Sequence, residues 1–309
     1  MKKDLLSIKD LTIDEINSIF KLATLLKKNK KKFSKALAGK TIVLIFQKPS
    51  NRTRVSFEVG MYQLGGNSLY LSPNEINIGV RESIKDVAKT ISRYCDGIVL
   101  RTFEHKNCLE MASSATVPVI NGLSDFSHPC QGLADIFTIK EKFKDLKNVT
   151  LAYVGDGNNV CNSLLLTAVK TGLNINVATP VGYSLDAEVV KQACEIAKFT
   201  GSKVIITTDP INAVKGVQVV YTDVWASMGQ EEEIKSRKII FKDFQINANL
   251  LSNAAPGVLV MHCLPAHRNE EITDEVMEGK NSIVFDQAEN RMHVQKAILI
   301  KLLGKANLK

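Results

Sequence analysis

Residues that could bind an anion follow the first apolar strand pattern of the chain. Residues 41–46 are rich in β-branched side chains and are followed by apolar residues at helical spacing, which predicts a turn from strand to helix at Ser50. The first turn of a helix has N–H groups without intrahelical partners at the positive end of the macrodipole. Arg52 adds a guanidinium fork, and Ser50 and Thr53 add hydroxyl groups. The turn is therefore predicted to bind a phosphate; alternatively, Ser50 only caps the helix while the arginines face water.

Two further predicted element ends carry polar residues that could act on a bound anion. The strand pattern at residues 97–101 ends in Arg101, and the carboxyl ends of parallel strands face the crevice of an α/β sheet. His128 precedes Pro129 at a predicted helix start, and it shares a helix face with Gln131, three residues on. A lone histidine at such a place is more often a capping or packing residue than a catalyst, so both interpretations stay open on spacing alone.

Asp223 and Cys263 each follow an apolar strand pattern in the second half of the chain. Asp223 comes after residues 217–221 and precedes a Ser-Met-Gly turn and an acidic helix start, which is also compatible with an ordinary loop and cap. The six cysteines include no Cys-x-x-Cys pair, so reduced thiols in a cytosolic compartment fit best. Cys263 has neighbours that indicate chemistry, His262 and Pro265; the alternative is a packed cysteine at a buried strand end.

Strand patterns alternate with helix patterns along the whole chain. A capping box of Thr12 and Glu15 predicts the start of a first helix over residues 11–28. The alternation predicts an α/β protein with two doubly wound, mainly parallel sheets. Further helices are predicted over residues 84–94 and, at the end of the chain, 292–303. The predicted strands lie at residues 41–46, 68–71, 97–101, 117–122, 149–154, 175–180, 202–207, 217–221 and 258–261.

Composition and charge exclude several classes of protein. With 309 residues the chain is long enough for two domains, and 45% apolar and 23% charged residues are typical of a soluble globular protein. No apolar run approaches the ~18 to 20 residues of a membrane span, and the start lacks the apolar core of a signal peptide, so a cytoplasmic protein is expected. The net charge of +8 would steer doubly negative substrates. The lysine-rich run at residues 27–32 has no interleaved aromatic residues, which favours a solvated helix end over a nucleic-acid site.

The Gly-Asp-Gly turn at residues 155–157 raises the alternative of a dinucleotide site. It follows a predicted strand, as the dinucleotide motif does. However, Val160 replaces the third glycine of that motif, and the next strand pattern, at residues 175–180, ends without an acid for a ribose. A nicotinamide enzyme is therefore not favoured, and no cofactor is expected.

Five motifs together resemble one enzyme family. Ser-Asn-Arg-Thr-Arg at residues 50–54 resembles the Ser-Thr-Arg-Thr-Arg carbamoyl phosphate motif of the aspartate and ornithine carbamoyltransferases, with Asn51 in place of the commoner threonine. The other four motifs follow in family order: His-Pro-x-Gln at 128–131, Gly-Asp-Gly-Asn-Asn at 155–159, Asp-x-x-x-Ser-Met-Gly at 223–229 and His-Cys-Leu-Pro at 262–265. The last two of these indicate the ornithine type, because aspartate enzymes lack the Ser-Met-Gly loop and have Pro-Leu-Pro instead of His-Cys-Leu-Pro.

This resemblance covers essentially the whole chain and implies a domain arrangement, a reaction and an assembly. Residues 1–147 would bind carbamoyl phosphate and be joined by a returning C-terminal helix at 290–309, while residues 148–289 would bind ornithine. The implied reaction transfers the carbamoyl group of carbamoyl phosphate to the δ-amino group of L-ornithine, giving L-citrulline and phosphate. It passes through a tetrahedral intermediate and needs no metal, cofactor or covalent enzyme intermediate. A homotrimer or a multiple of trimers with shared active sites is implied, without nucleic-acid or membrane partners.

The family's functional residues map onto positions of this chain. Asn77 takes the place of a glutamine that the family supplies from a neighbouring subunit, and its side chain is one methylene shorter. The residues with implied catalytic roles are Arg101, His128, Asp223 and Cys263. The implied carbamoyl phosphate ligands are Ser50, Asn51, Arg52, Thr53, Asn77, Arg101, His128, Gln131, Cys263, Leu264 and Arg291. The implied ornithine ligands are Asn159, Asp223, Ser227 and Met228.

Two alternatives to this reaction stay open. A carbamoyltransferase could act on another amine, such as putrescine or an N-acylated ornithine, although the Ser-Met-Gly loop favours free ornithine. A non-catalytic binding or regulatory relative would have lost central site residues, and none of them is missing from this sequence.

Overall fold

The computed structural model describes residues 3–226 and 233–304, and it divides the chain into two compact units. Unit 1 comprises Met1–Leu133 and Arg291–Lys309, and unit 2 comprises Ala134–Asn290. Both boundaries fall inside helices, and the domain limits expected from the sequence, at 147/148 and 289/290, stay a prediction. Within the described residues, no helix combines the length and the apolar character that crossing a bilayer requires.

Unit 1 contains a four-stranded sheet in which every strand pair is parallel, with the order β2-β1-β3-β4. Its strands are β1 Thr41–Phe46, β2 Asn67–Leu71, β3 Gly97–Arg101 and β4 Val119–Leu123. Its helices are α1 Ile13–Lys28, α2 Asn51–Gln63, α3 Pro73–Ile76, α4 Ile84–Ile91 and α5 His105–Ser114, with short 3-10 helices at Ile8–Asp10 and Lys30–Phe33. The predicted capping box is confirmed: Thr12 caps α1, and its N–H donates to Glu15 Oε2 at 2.8 Å.

Unit 2 contains a five-stranded parallel sheet with the order β7-β6-β5-β8-β9. Its strands are β5 Thr150–Val154, β6 Asn174–Ala178, β7 Val204–Thr207, β8 Val219–Thr222 and β9 Leu259–His262. Its helices are α7 Asn159–Lys170, α8 Ala187–Thr200, α9 Pro210–Val214, α10 Ile234–Ile240, α11 Ala248–Leu251 and α12 Asp274–Met277, with a 3-10 helix at Lys242–Phe244. Helices α6 Pro129–Phe143 and α13 Val284–Leu303 belong to both units, because the unit boundaries fall within them. The α/β class with two doubly wound parallel sheets is confirmed.

The last helix begins eight residues earlier than the apolar pattern predicts. The pattern gave a start at residue 292, whereas α13 starts at Val284. Its first turns bury the polar residues Gln287, Asn290 and Arg291, which are 1%, 0% and 5% exposed. These residues are spaced three or four apart on one helix face, so hydrogen bonds rather than apolar contacts define that face, and hydrophobic periodicity does not detect it. The part of α13 from Arg291 onward belongs to unit 1, as the returning C-terminal helix was predicted to do.

Each sheet has one point where its strand order reverses. In unit 1 the chain places β2 on one side of β1 and β3 on the other, and in unit 2 it places β6 on one side of β5 and β8 on the other. Open α/β sheets bind ligands outside the carboxyl ends of the strands at such points. The segments that follow β1 and β3, and those that follow β5 and β8, are therefore where a binding site is expected.

Candidate active site

The turn of unit 1 that is predicted to bind an anion is the start of α2, after β1. Ser50 is the N-cap: its Oγ accepts the Thr53 N–H at 3.4 Å, and its hydroxyl donates to Thr53 Oγ1 at 3.1 Å. Ser50 has extended backbone geometry, so the chain enters the helix with the N–H groups of the first turn at its positive end. The capping role of Ser50 is therefore confirmed, and the binding of an anion at this turn, with which the cap is compatible, stays a prediction.

Arg291 connects three of the predicted site residues of unit 1. Its Nη2 donates to Thr53 Oγ1 at 2.5 Å, and its Nη1 donates to Gln131 Oε1 at 3.2 Å. All three side chains are buried, with exposures of 5% for Arg291, 0% for Thr53 and 1% for Gln131. The structure thus brings together residues of α2, α6 and α13 that are far apart in the sequence.

Positive charge is concentrated at this cluster. Burial, followed by the charges of Arg291 and Arg52, lowers the pKa of Arg101 to about 10. Burial, followed by the charges of Arg291, Arg101 and Arg52, lowers the pKa of His128 well below its usual value. Arg101 therefore stays cationic at neutral pH, whereas the imidazole of His128 is neutral and can donate one hydrogen bond. Three mutually repelling guanidinium groups around one helix start favour a bound anion of high charge.

Asn77 and Asn51 differ from the other predicted phosphate ligands. Asn77 is exposed, ends α3 with a left-handed φ of 39°, and bonds through its backbone to its own turn, with its N–H donating to Pro73 O at 2.9 Å. The loop that contains it is tied to the end of β1 by Gln47 Nε2, which donates to Ile78 O at 3.1 Å. Asn51, the first residue of α2, is also exposed. Its backbone N–H lies in the first turn of α2, where helix N–H groups lack intrahelical partners.

Asp223 is the centre of the polar cluster in unit 2. It follows β8 and is 5% exposed. Its Oδ1 accepts from Cys263 Sγ at 2.9 Å and from the Val224 N–H at 2.8 Å, and its Oδ2 accepts from Asn158 Nδ2 at 2.8 Å. Burial and the Asp223 charge raise the pKa of Cys263 well above its usual value. The thiol is therefore protonated at neutral pH and acts as a donor toward the carboxylate.

The asparagine that contacts Asp223 is Asn158, which precedes the predicted ornithine ligand Asn159. The motif at residues 155–159 assigned ornithine binding to Asn159, whose Oδ1 accepts the Val160 N–H at 3.0 Å. The preceding Asn158 caps α7 through its Oδ1, which accepts the Val160 N–H at 2.9 Å and the Cys161 N–H at 3.1 Å, while its amide group reaches Asp223. Two adjacent asparagines after a strand could each have been the cap, and spacing alone does not distinguish them.

Gly157 fixes the shape of this turn. A Cβ atom at Gly157 would lie 2.4 Å from the Leu185 backbone nitrogen and 2.5 Å from the Ser184 carbonyl carbon. Close packing against the backbone of residues 184–185 therefore requires a glycine at this position. This packing accounts for Gly157 without a bound dinucleotide.

Arg237 is a buried residue of unit 2 that the sequence did not indicate. Its Nη1 donates to Asp156 Oδ2 at 2.9 Å and to Trp225 O at 2.7 Å, and its Nε donates to Glu233 Oε2 at 2.9 Å. It thus holds both flanks of residues 227–232. The predicted ornithine ligands Ser227 and Met228 lie in this segment, outside the described residues. Burial is the largest influence on Asp156 and raises its pKa to about 6, even though Arg237 acts in the opposite direction.

Cys263 and Leu264 follow β9, whose end is fixed by side chains of unit 2. Gln287 Oε1 accepts the His262 N–H at 3.0 Å, and Gln287 Nε2 donates to Asp135 Oδ1 at 2.7 Å. Leu264 has a left-handed φ of 60°, and its peptide bond to Pro265 is cis. The residue before Cys263 is therefore held by the Gln287 side chain, which Asp135 holds in turn.

Comparison with known proteins adds a consistent result over the whole chain. Residues 3–141 match the family model described as the carbamoyl-P binding domain of aspartate/ornithine carbamoyltransferase, and residues 147–302 match its Asp/Orn binding domain. A protein of Archaeoglobus fulgidus described as ornithine carbamoyltransferase is 53% identical over 305 residues, which cover 98% of each chain. One of Thermococcus kodakarensis with the same description is 51% identical, with 98% of this chain and 96% of the relative covered.

A solved structure gives the same result. The ornithine carbamoyltransferase of Pyrococcus furiosus superposes with a TM-score of 0.94 at 50% identity, with 99% of this chain and 98% of that chain covered. Both family models match in chain order, and together they include all the motifs described above. The chain therefore belongs to the aspartate/ornithine carbamoyltransferase family.

Proposed function

We propose that this protein transfers the carbamoyl group of carbamoyl phosphate to the δ-amine of L-ornithine, giving L-citrulline and phosphate. The observation that carries the choice of ornithine is the buried Asp223 carboxylate, which accepts from the Cys263 thiol and from Asn158 at the reversal point of the second sheet. A carboxylate in this position suits a cationic amine. The relatives at 51–53% identity that are described as ornithine carbamoyltransferases support the same choice.

Carbamoyl phosphate is assigned to the cluster of unit 1. The N–H groups at the start of α2, the Ser50 and Thr53 hydroxyls, the backbone of Asn51 and the fork of Arg52 would hold the phosphate. Arg101 and His128 would polarise the carbonyl oxygen as the tetrahedral intermediate forms, a role worth ~3 to 4 kcal/mol for one donor. The remaining proposed ligands, for the carbamoyl group and its surroundings, are Gln131, Arg291, Cys263, Leu264 and, from a neighbouring subunit, Asn77.

Ornithine is assigned to the cluster of unit 2. Asp223 and the segment with Ser227 and Met228 would bind its amino-acid end and side chain, together with Asn159 and with Asn158, which donates to Asp223. Its δ-amine has a reference pKa of ~10.4, whereas only the neutral amine can attack the carbonyl carbon. Because the Cys263 thiol is protonated, it cannot take the proton itself. Its proposed role is to donate to Asp223 and so to fix the carboxylate that receives and positions the amine.

The phosphate leaving group already activates carbamoyl phosphate, so orientation and charge stabilisation are what the protein must supply. The neutral amine nitrogen forms a bond to the carbonyl carbon, the bond from that carbon to the phosphate oxygen breaks, and the proton lost by the nitrogen leaves with phosphate as HPO₄²⁻. Placing two bound reactants correctly accounts for ~7 to 11 kcal/mol of such a barrier. The buried and mutually bonded side chains described above are suited to this role because their geometry is fixed before the substrates bind.

Formation of citrulline from purified protein, carbamoyl phosphate and ornithine tests the proposal. We expect turnover with ornithine and little or none with putrescine or N-acetylornithine in parallel assays. We also expect kcat to rise between pH 6 and 9, because deprotonation of the bound amine is required, while His128 stays neutral over that range. Absence of citrulline, or preference for a competing amine, would contradict the proposal.

Acidification is expected to weaken ornithine binding through Asp156. As the pH falls through about 6, its carboxylate becomes protonated and its ion pair with Arg237 weakens. The raised pKa means that Asp156 favours the folded state most at low pH and loses that contribution as the pH rises through about 6. The effect on binding is therefore local and not a consequence of unfolding. The charged groups around this carboxyl are Arg237, Asp223 and Glu233.

The measurement is the KM for ornithine between pH 5 and 7, in the parent and in Asp156→Asn. The parent KM should rise several-fold toward pH 5. The asparagine retains an oxygen acceptor for Arg237 but does not titrate, so its KM should vary much less over this range. An equally steep rise in the variant would assign the effect to another group.

Assembly and location are also proposals. We propose a homotrimer, or a multiple of trimers, in the cytoplasm, with residues 1–147 and 290–309 as the carbamoyl phosphate domain and residues 148–289 as the ornithine domain. The support for self-association is apolar surface on α2 and on the edge strand β2, where Val55, Tyr62 and Leu69 are 53%, 82% and 58% exposed. Light scattering after size exclusion should give a mass that is a multiple of three chains.

A further inference from the structure

Both ring nitrogens of His262 are engaged at the end of β9. The Leu264 backbone N–H donates to His262 Nδ1 at 2.8 Å, and His262 Nε2 lies 3.0 Å from Glu271 Oε1. A backbone N–H can only donate, so Nδ1 is the acceptor and Nε2 carries the proton that is donated to Glu271. The His262 ring thus links the Glu271 carboxylate to the backbone of Leu264.

Glu271 is part of a fold-back of the segment after β9. Its side chain and that of His262 are both 0% exposed. Its Oε1 also accepts the His267 N–H at 2.5 Å, and its backbone carbonyl accepts the Ile246 N–H at 2.8 Å. The buried carboxylate therefore closes a loop of nine residues onto the strand end and fixes the orientation of the imidazole.

Cys263 lies between two residues whose backbones are held by side chains. On one side the His262 N–H donates to Gln287, and on the other the Leu264 N–H donates to the His262 ring. The second bond is made by the backbone nitrogen of Leu264, whose left-handed φ of 60° is one that L-residues rarely adopt. Between these two held residues, the Cys263 thiol donates to Asp223 Oδ1 at 2.9 Å.

We propose that His262 and Glu271 form a positioning pair for the ornithine half of the reaction: Glu271 fixes the tautomer of His262, and His262 holds Leu264 so that the Cys263 thiol faces Asp223. This inference rests on the proposed function and adds to it two residues with no direct part in the chemistry. Neither side chain touches a reacting atom. Their contribution is the geometry of the residues between them.

Two substitutions of His262 separate its two hydrogen bonds. His262→Asn places an oxygen near the position of Nδ1, so it retains the acceptor for Leu264 and removes the donor to Glu271. His262→Gln places its amide nitrogen near the position of Nε2, so it retains the donor to Glu271 and removes the acceptor for Leu264. The readouts are thermal unfolding and kcat/KM for ornithine.

We expect opposite effects in the two variants: one should lose activity but keep its stability, and the other should lose stability but keep its activity. His262→Gln should unfold near the parent temperature but lose about 10²-fold in kcat/KM, because small misplacements at a reacting site have effects of this size. His262→Asn should unfold at a lower temperature, because the buried Glu271 carboxylate loses a donor, but its kcat/KM should remain within about threefold of the parent at temperatures where it is folded.

Parallel losses of stability and activity in the two variants would show a packing role for His262 and overturn the inference. If His262→Asn does not fold, the double variant His262→Asn with Glu271→Gln removes the unpaired charge and tests the same expectation. Glu271→Gln alone keeps an oxygen acceptor and should retain near-parent kcat/KM. The parent enzyme controls for the proposed function, because a parent that forms no citrulline would show that the proposed function is wrong. If the parent is active but the two His262 variants lose stability and activity in parallel, only the positioning pair is refuted.

Discussion

Replacing Arg52 with alanine is expected to raise the KM for carbamoyl phosphate by about 10²- to 10⁴-fold, because two charge-assisted hydrogen bonds of about 1.5 to 3 kcal/mol each would be lost. Arg52 is half-buried on the first turn of α2, and its charge contributes to the lowered pKa values of Arg101 and His128. The Arg52 guanidinium is therefore within electrostatic range of two buried residues that are also proposed to contact carbamoyl phosphate.

The expected change is specific to one substrate. Initial rates at varied carbamoyl phosphate and saturating ornithine measure it, and binding of phosphate as a product inhibitor should weaken in parallel. Arg93→Ala is the matched control, because it removes the same charge from an exposed residue after α4. Normal carbamoyl phosphate kinetics in Arg52→Ala would show that the start of α2 does not bind the phosphate.

Replacing Asp223 with asparagine is expected to lower kcat/KM for ornithine by about 10²- to 10³-fold, since removal of one partner of a buried charge pair costs about 2 to 5 kcal/mol. The carboxylate accepts from three donors, on Cys263, Val224 and Asn158. An amide has one acceptor oxygen and one NH₂ group. In the variant the NH₂ group would therefore be placed against at least one of these donors, and that hydrogen bond would be lost. The variant therefore loses both the negative charge and the fixed positions of its neighbours.

The loss should exceed any change in the KM for carbamoyl phosphate, which is assigned to unit 1. Steady-state kinetics with each substrate varied in turn measure this difference. Asp243→Asn makes the same chemical change at an exposed carboxylate of unit 2 and should have parent kinetics. If Asp223→Asn keeps its affinity for ornithine, the carboxylate is not the amine site and the choice of substrate needs another basis.

The fold followed from local patterns because they agreed with one another. The β-branched run of β1, the capping box of Thr12 and the capping serine of α2 each specify their element within a few residues. Such signals act over one helical turn or one strand, so they can be detected in the sequence without tertiary contacts. The start of α13 was missed because buried polar residues define its first turns, and only hydrogen bonding to distant groups explains their burial.

The proposed site shows the same division. The motif around Ser50 and the strand ends at Arg101 and Asp223 were located by the sequence, since strand carboxyl ends carry the ligands in open α/β sheets. The contact between Asn158 and Asp223 and the anchoring of Trp225 by Arg237 were not located, because they join residues 65 and 12 positions apart. Adjacent asparagines and an isolated arginine carry no periodic signal.

The sequence by itself determined the fold class, the family and the residue types available to the two substrates, because each is encoded in short motifs and their order. The tertiary structure decided which of these side chains contact one another and which protonation state or tautomer each of them has. The protonated state of Cys263, the neutral state of His128 and the tautomer of His262 depend on burial and on partners elsewhere in the chain. These properties arise from desolvation and through-space charge, which exist only once the chain has folded.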